Sequence, residues 1–229
     1  EAHRAFQNFF PGFNAKYSTP VFLFLGPPGS GKTSIIEKSG LSKKLGNGAS
    51  GNPVNWTIFD RATIVDVRGD ITFGNLGSKG SNKSWNSLIS LFQKFRPRRP
   101  IDGLMLAIPA DVLSNNHSSG KEQLNELAET FHRQIGDAQS SLGMALPIYL
   151  IVTKADHLSG FTEMTGLLRT EELKEAFGWS SPYMPGSAYS PSWCEEAIAA
   201  LVTQIQDAIT ESLSDTGRRN DWRKRAILL

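Results

Sequence analysis

The chain has 229 residues, 39% of them hydrophobic and 20% charged, with a formal net charge of +2, enough to bury the core of one large α/β domain or of a domain with an appendage. So small a charge gives no bulk attraction to nucleic acid or membrane, and no run reaches the roughly 18 apolar residues of a membrane span. A single cysteine, Cys194, excludes an internal disulfide framework and fits a reducing compartment.

No signal peptide is visible, and residues 1–19 read as a linker. The start at Glu1 and the basic, then apolar, close "RKRAILL" are read as the edges of a piece cut from a longer protein. "VFLFL" (21–25) is a buried strand, and "GKTSIIEKSGL" begins the helix after it, with Gly40 as its stop. "NWTIF" and "ATIVDV" flank Asp60-Arg61 and predict an antiparallel hairpin on the edge of the sheet. Residues 74–83, "GNLGSKGSNK", carry too little apolar content to pack and are expected to be a mobile loop.

Trp85, Leu88, Ile89, Phe92 and Phe95 then share one helical face. "IDGLMLAI" is a third core strand and "LPIYLIV" (146–152) a fourth. Between them Leu124, Leu127, Phe131, Ile135 and Leu142 recur at helical spacing with charges opposite. A further helix is expected over Met164 to Phe177, and a Ser, Pro, Tyr and Gly-rich loop over 180–192. Ser192 followed by Glu195 matches a capping box for a last helix striped by Ile198, Leu201, Ile205, Ile209 and Leu213. The alternation predicts one doubly wound domain over residues 20–213, a mostly parallel sheet with an antiparallel edge hairpin, and a polar, basic tail over 214–229.

The chemistry concentrates at "GPPGSGKT" (26–33), which has the form Gly-x-x-x-x-Gly-Lys-Thr between a buried strand and a helix, as a P-loop requires. The fold class is therefore that of a Ras-like P-loop NTPase, a three-layer α/β/α domain. Gly26, Pro27, Pro28, Gly29, Ser30 and Gly31 aim backbone N–H groups at phosphate oxygens, and the following helix, opening with Lys32, Thr33 and Ser34, adds its positive end. Lys32 is the candidate for the β- and γ-phosphates and for charge stabilisation, and Thr33 the candidate Mg²⁺ ligand. Pro27 and Pro28 occupy variable positions and stiffen the loop.

"IVDVRGD" (64–70) stands where such proteins keep a magnesium aspartate and a γ-phosphate sensor. Asp66 is the second candidate for the metal, and Gly69 the candidate whose N–H meets a γ-phosphate. Arg68 is either an internal arginine finger or a partner that neutralises Asp66 or Asp70. Asp70 sits where a water-orienting neutral side chain belongs, and its charge would repel the polyphosphate. Hydrolysis is therefore expected to be slow.

"TKAD" (153–156) directly follows an apolar strand, the place of the guanine-reading element of GTPases. Thr153 leads into it, Lys154 would lie over the ring and Asp156 would pair with guanine N–H groups. Ser187 and Ala188 in "GSAYS" are candidates for the short loop touching the base oxygen. The competing reading of "TKAD" is a helix cap with Asp156 as the capping residue. The expected ligand is thus GTP or ATP with Mg²⁺.

In this order "GPPGSGKTSIIEKSGL", "NWTIFDRATIVDVRGD", "FRPRRPIDGLMLAI", "LPIYLIVTKADHLSGF" and "FGW" resemble the cytoplasmic nucleotide-binding region of the TssM/IcmF family, the inner-membrane subunit of the type VI secretion core complex. The resemblance runs from about residue 20 to 180, and "RPRRPIDG" and "TKADHLSGF" are its most specific parts. It implies a domain on the cytoplasmic face of the inner membrane, with membrane spans outside this chain. It also implies the core subunits TssL and TssJ and baseplate components as partners. Members often carry Gly-Thr-Arg-Asn before the Trp-containing strand, where this chain has "SGNPVNW". Gly51 thereby replaces a threonine able to close on metal and phosphate, with Ser50 or Thr57 as substitutes. The family's Asp-Thr-Ala-Gly-Arg is "DVRGD" here.

Two other readings stand beside this one: a freestanding Ras-like GTPase, and an interaction scaffold whose P-loop holds no nucleotide. "RPRRP" (96–100) is expected to be a solvated connector, or in the resembled family a docking surface or an anchor of the preceding helix near the nucleotide. His3, His117, His132 and His157 show no metal-ligand spacing. No Gly-x-Ser-x-Gly elbow or Cys/His pair points to nucleophilic catalysis.

Overall fold

Val21, Leu23, Phe24 and Leu25 are fully buried, and a strand buried on both faces needs a neighbour on each side and helices above and below. The computed structural model of the chain supplies both; it describes residues 17–46, 54–73, 79–114, 118–166, 168, 177–184 and 186–214. β1 (Val21–Leu25) lies between β4 (Thr63–Val67) and β5 (Gly103–Pro109), parallel to each. β6 (Ile148–Thr153) adds a parallel strand outside β5. On the other side β3 (Val54–Phe59) runs antiparallel to β4, and β2 (Lys43–Gly46) antiparallel to β3. The order is β2-β3-β4-β1-β5-β6.

Alternation along the strands sorts the side chains into two layers of core. On one face Leu23, Leu25, Val65, Leu104 and Leu106 pack with Trp85, Ile89 and Phe92 of α3 (Lys79–Phe95) and with Leu127 and Phe131 of α5 (Ser118–Leu142). On the other, Phe24, Ile64 and Ala107 pack with Ile36 of α1 (Lys32–Lys38). Each fully buried Leu or Phe contributes about 1.5–3 kcal/mol. Two short helices, α2 (Gly69–Phe73) and α4 (Ala110–Ser114), complete this first unit, which ends at Ala155. The second unit begins at Asp156 and carries α6 (Phe161–Thr165) and α7 (Ser192–Ser214). No helix among the described residues is long and apolar enough to cross a membrane.

Several expectations are revised. The hairpin of "NWTIF" with "ATIVDV" pairs as expected, Asn55 opposite Asp66 and Thr57 opposite Ile64, but β2 is the edge strand. "LPIYLIV" is no core strand along its length: Leu146 is buried, whereas Ile148, Tyr149, Leu150 and Val152 are exposed on β6, which stands at the edge of the sheet. Within the expected loop 74–83, residues 79–83 are the first turn of α3, recruited by the apolar face that follows; residues 74–78 lie outside the described residues. Of the helix expected over 164–177, residues 164 and 165 are the end of α6, which begins at Phe161 and has Gly166 as its cap; residues 167 and 169–176 lie outside the described residues. Ser192 is a helical residue of α7 rather than its cap. Its N–H donates to Ser190 Oγ at 3.4 Å, so the turn is held one step earlier.

"RPRRP" is not a solvated connector throughout. Arg96 is fully buried, and its guanidinium donates to Asp102 Oδ2 at 3.0 Å, Pro100 O at 3.2 Å and Thr19 O at 3.5 Å. The cation also lies 5.3 Å from the Tyr17 ring centroid. Arg99 Nε pairs with the other carboxylate oxygen of Asp102 at 2.5 Å. Asp102 in turn accepts the Val21 N–H at 2.7 Å and donates its own N–H to Val21 O at 2.7 Å. The cluster therefore ties the end of α3 to the first residue of β1, the end of that strand opposite the phosphate loop.

Removing one partner of a buried pair leaves the other charge uncompensated. Arg96→Met is therefore expected to lower the unfolding free energy by about 3–5 kcal/mol in urea denaturation. Lys121→Met, at an exposed position of α5, is expected to change it by less than about 0.5 kcal/mol.

Candidate functional site

The phosphate loop leaves the C-terminal end of β1 and turns into α1. Gly26 permits its start: a Cβ there would lie 2.8 Å from both Ala107 Cβ and Ser30 Oγ. Gly29 (φ 71°) and Gly31 (φ 84°) adopt left-handed backbone that other residues enter at a cost. Ser30 N–H donates to Pro27 O at 3.2 Å, and Ile35 N–H to Gly31 O at 3.0 Å opens the helix. Pro27 and Pro28 frame the turn without losing a donor to any of these bonds.

Lys32 is buried. Its ammonium donates to Gly26 O at 2.9 Å, Pro27 O at 3.3 Å and Ser30 Oγ at 3.4 Å, so the loop folds around its own cation. Thr33 Oγ1 donates to Asp66 Oδ2 at 2.9 Å, joining the start of α1 to β4 across 33 residues of sequence. Asp66 is buried, and its other oxygen, Oδ1, has no hydrogen-bond partner. Burial pushes the Lys32 ammonium below its ordinary 10.5, opposed by Asp66. Burial likewise pushes the Asp66 carboxyl above its ordinary 3.8, opposed by the Thr33 hydrogen bond and by Lys32. Burial thus works against the charge on both groups, and of the two it is Asp66 that keeps a buried oxygen without a partner.

Gly69 closes the site from the α2 side. A Cβ on it would lie 2.4 Å from Pro28 N and 2.7 Å from Pro27 C, so only glycine brings this backbone against the phosphate loop. Beside it Arg68 and Asp70 form an exposed ion pair, with Arg68 Nε donating to Asp70 Oδ1 at 3.0 Å. That bond raises the guanidinium further and lowers the Asp70 carboxyl below its ordinary 3.8. Without nucleotide, Arg68 is paired with Asp70.

Thr153, at the end of β6, is buried 3.8 Å from where a Cβ on Gly31 would lie, and its hydroxyl has no partner. Lys154 follows with φ 53°, its ammonium 3.8 Å from Asp111 Oδ2 on α4. Asp156 opens the second unit in a short 3₁₀ turn, Ala155–His157. Ser187 belongs to that unit too, its N–H donating to Met184 O at 3.0 Å, and so does Ala188. Ser34 is exposed on α1. Ser50 and Gly51 lie outside the described residues. Thr57 lies on β3 opposite Ile64, two residues along from the Asp66 pairing.

Two residues escaped the reading of the sequence. Asn55 stands opposite Asp66 in the β3–β4 register, with a buried Oδ1 that has no partner. Its signal was the strand register, which a hairpin with Asp60-Arg61 at its turn already fixes. Gln134 of α5 is buried and donates to Thr72 O of α2 at 2.7 Å. A polar residue within the apolar stripe between Phe131 and Ile135 was the sign of it.

The donor set fits a magnesium nucleotide. A threonine hydroxyl and a carboxylate with one orphaned buried oxygen are hard ligands of the kind Mg²⁺ takes. The glycine-built loop leaves open space where a Gly29 Cβ would point. Thr33 and Asp66 would hold such an ion, and Lys32 with the backbone of 26–33 would hold phosphate.

Among known proteins, the G domain of the T. maritima FeoB iron transporter aligns at 17% identity over 65% of this chain and 95% of that one, with a TM-score of 0.29. The ADP-ribosylation factor-like GTP-binding protein, small COPII coat GTPase SAR1, from Encephalitozoon cuniculi in complex with GDP aligns at 12% identity over 69% and 80%, also at 0.29. Scores this low leave the topology to rest on the strand order itself. The type VI secretion system component TssM1 of Pseudomonas aeruginosa is 30% identical over 199 residues, 82% of this chain and 18% of that protein. The chain thus spans less than a fifth of the length of this relative. The model of the IcmF-related N-terminal domain matches residues 78–229, which leaves the phosphate loop before the match. By that match across more than half of its length, the chain belongs to the IcmF-related N-terminal domain family.

Proposed function

We propose that this chain is a magnesium nucleotide-binding module of a type VI secretion membrane complex, on the cytoplasmic face of the bacterial inner membrane. It holds GTP or ATP, turns it over slowly, and regulates assembly or docking with partners such as TssL, TssJ and baseplate components. The observation that carries the nucleotide reading is the Thr33–Asp66 hydrogen bond with Asp66 Oδ1 buried and unpartnered beside a glycine-built loop. The similarity to TssM1 supports the secretion context.

Lys32 exchanges its loop carbonyls for phosphate oxygens, a stronger set of charge-assisted partners. Backbone N–H groups of the loop orient the phosphate chain. Mg²⁺, when bound through Thr33 and Asp66, neutralises phosphate charge. By the motif alone, Thr153 and Lys154 would lead toward a base and Asp156 would select guanine over adenine, with Ser187 and Ala188 the sequence candidates for the base oxygen. Gly69 offers its N–H to a third phosphate. Arg68 is engaged by Asp70, and no neutral water-orienting side chain follows Gly69, so turnover without an activator is on the order of 10⁻⁴ per second.

The raised Asp66 carboxyl favours the ligand-free folded state below pH 3.8, and this contribution is lost as the pH climbs through the folded value. Asp66→Asn lacks that loss. In urea denaturation of the ligand-free protein, the variant is expected to gain on the wild type as the pH rises from about 4 to 7. A constant difference between the two curves would contradict the electrostatic reading of the site.

Thermal denaturation with Mg²⁺ and GTP or ATP at about 100 times Kd is expected to stabilise the wild type by about 2.7 kcal/mol. Lys32→Ala should lose this shift for both nucleotides, and Asp156→Ala for GTP alone. Absence of any shift in the wild type with either nucleotide would return the scaffold reading.

A further inference from the structure

A helix of five residues does not hold its own conformation in water, so α2 stands where its neighbours put it. Its two ends lean on different things. At its start Gly69 lies against the backbone of Pro27 and Pro28, closer than any side chain would allow. At its end two residues of α5 grip it. Gln134 Nε2 donates to Thr72 O at 2.7 Å, and Phe131 meets Phe73 edge-on with ring centroids 5.4 Å apart. Phe131 and Gln134 are three residues apart and so share one face of α5. Within α2 Thr72 Oγ1 donates to Gly69 O at 3.4 Å, which links the gripped end to the end on the phosphate loop.

Gln134 holds this contact at a cost to the fold. Its residue is 4% exposed, and its Oε1 is buried without a partner. An apolar side chain of the same length would avoid that desolvation. The acceptor it serves is a carbonyl in the last turn of a helix, a group that lacks a partner within its own helix. What the amide secures is the placement of α2.

We infer that Gln134 is a positioning residue that fixes Gly69 against the phosphate loop through α2, and thereby sets the preference for a nucleoside triphosphate over the diphosphate. The inference rests on the nucleotide reading of the phosphate site. The two ligands differ only in the phosphate that the Gly69 N–H meets. Loosening α2 weakens the triphosphate and leaves the diphosphate, held by Lys32 and the loop, unchanged.

Gln134→Met keeps the length and removes the donor, and Gln134→Leu serves as a second variant if the first lowers the unfolding midpoint. Without nucleotide, amide hydrogen exchange over residues 69–73 is expected to speed up about fivefold, the scale of one lost hydrogen bond, while α3 amides are unchanged. With Mg²⁺ and fluorescent GTPγS, GDP and their adenine counterparts, the variant is expected to weaken the triphosphate about fivefold and the diphosphate less than about twofold. Unaltered exchange at 69–73, or an unaltered triphosphate-to-diphosphate ratio in a protein that binds both, overturns the inference alone. A wild-type protein that binds none of these nucleotides overturns the reading of the site, and the inference with it.

Discussion

The parallel pairing of β1 with a neighbour on each side sets the place of everything that matters in this molecule. Phe24 pairs in register with Asp66 on β4 and with Met105 on β5. That register puts the end of β1, the magnesium-ligand candidate and the turn out of β5 at one edge of the sheet. The phosphate loop needs no contact of its own to find Asp66, because a strand buried on both faces cannot slip without turning its core side chains to the wrong layer. Thr33 reaches Asp66 from the far end of the loop as a consequence.

The site so placed is electrostatically unfinished. Lys32 and Asp66 are both buried, and each is pushed toward its neutral form by burial more than it is held charged by its partners. A site stabilised for its own sake would have been filled with apolar side chains of similar volume. Two polar oxygens without partners, Asp66 Oδ1 and Thr153 Oγ1, lie at the ends of the two strands that flank β1 and β5 on their outer sides. The Arg68–Asp70 pair beside the site lies in water, where it contributes little.

How much of this was legible depended on whether the signal was local. The order "VFLFL" then "GPPGSGKT" gave strand, loop and helix because apolar runs and glycine spacing act within a few residues. The antiparallel pairing of β3 with β4 was legible for the same reason. β2 was not, because "KKLG" has the composition of a surface turn and becomes a strand only through pairing with β3. Arg96 was placed in a solvated connector, a docking surface or a helix anchor near the nucleotide because a short run of arginines and prolines gives no sign of Asp102, six residues on, or of Thr19, 77 residues back. Gln134 had the same fault in reverse: it sits in an apolar stripe, and its partner is a backbone carbonyl 62 residues away. Thr33 and Asp66 were named from motif spacing, but the buried, unpartnered oxygen on Asp66 is a property of packing alone.

The Arg96–Asp102 cluster also decides how the molecule would carry a load. It grips Tyr17, Thr19 and Val21 together, so a pull on the chain before residue 17 enters the sheet at the foot of β1. There the strand is bonded along its length to two parallel neighbours, and such a pull shears all of those bonds at once instead of opening them one by one. Slipping the strand by one residue would carry Phe24 out of its layer and Leu23 into it, so traction on the preceding segment would meet the core packing of β1 before it met the phosphate loop.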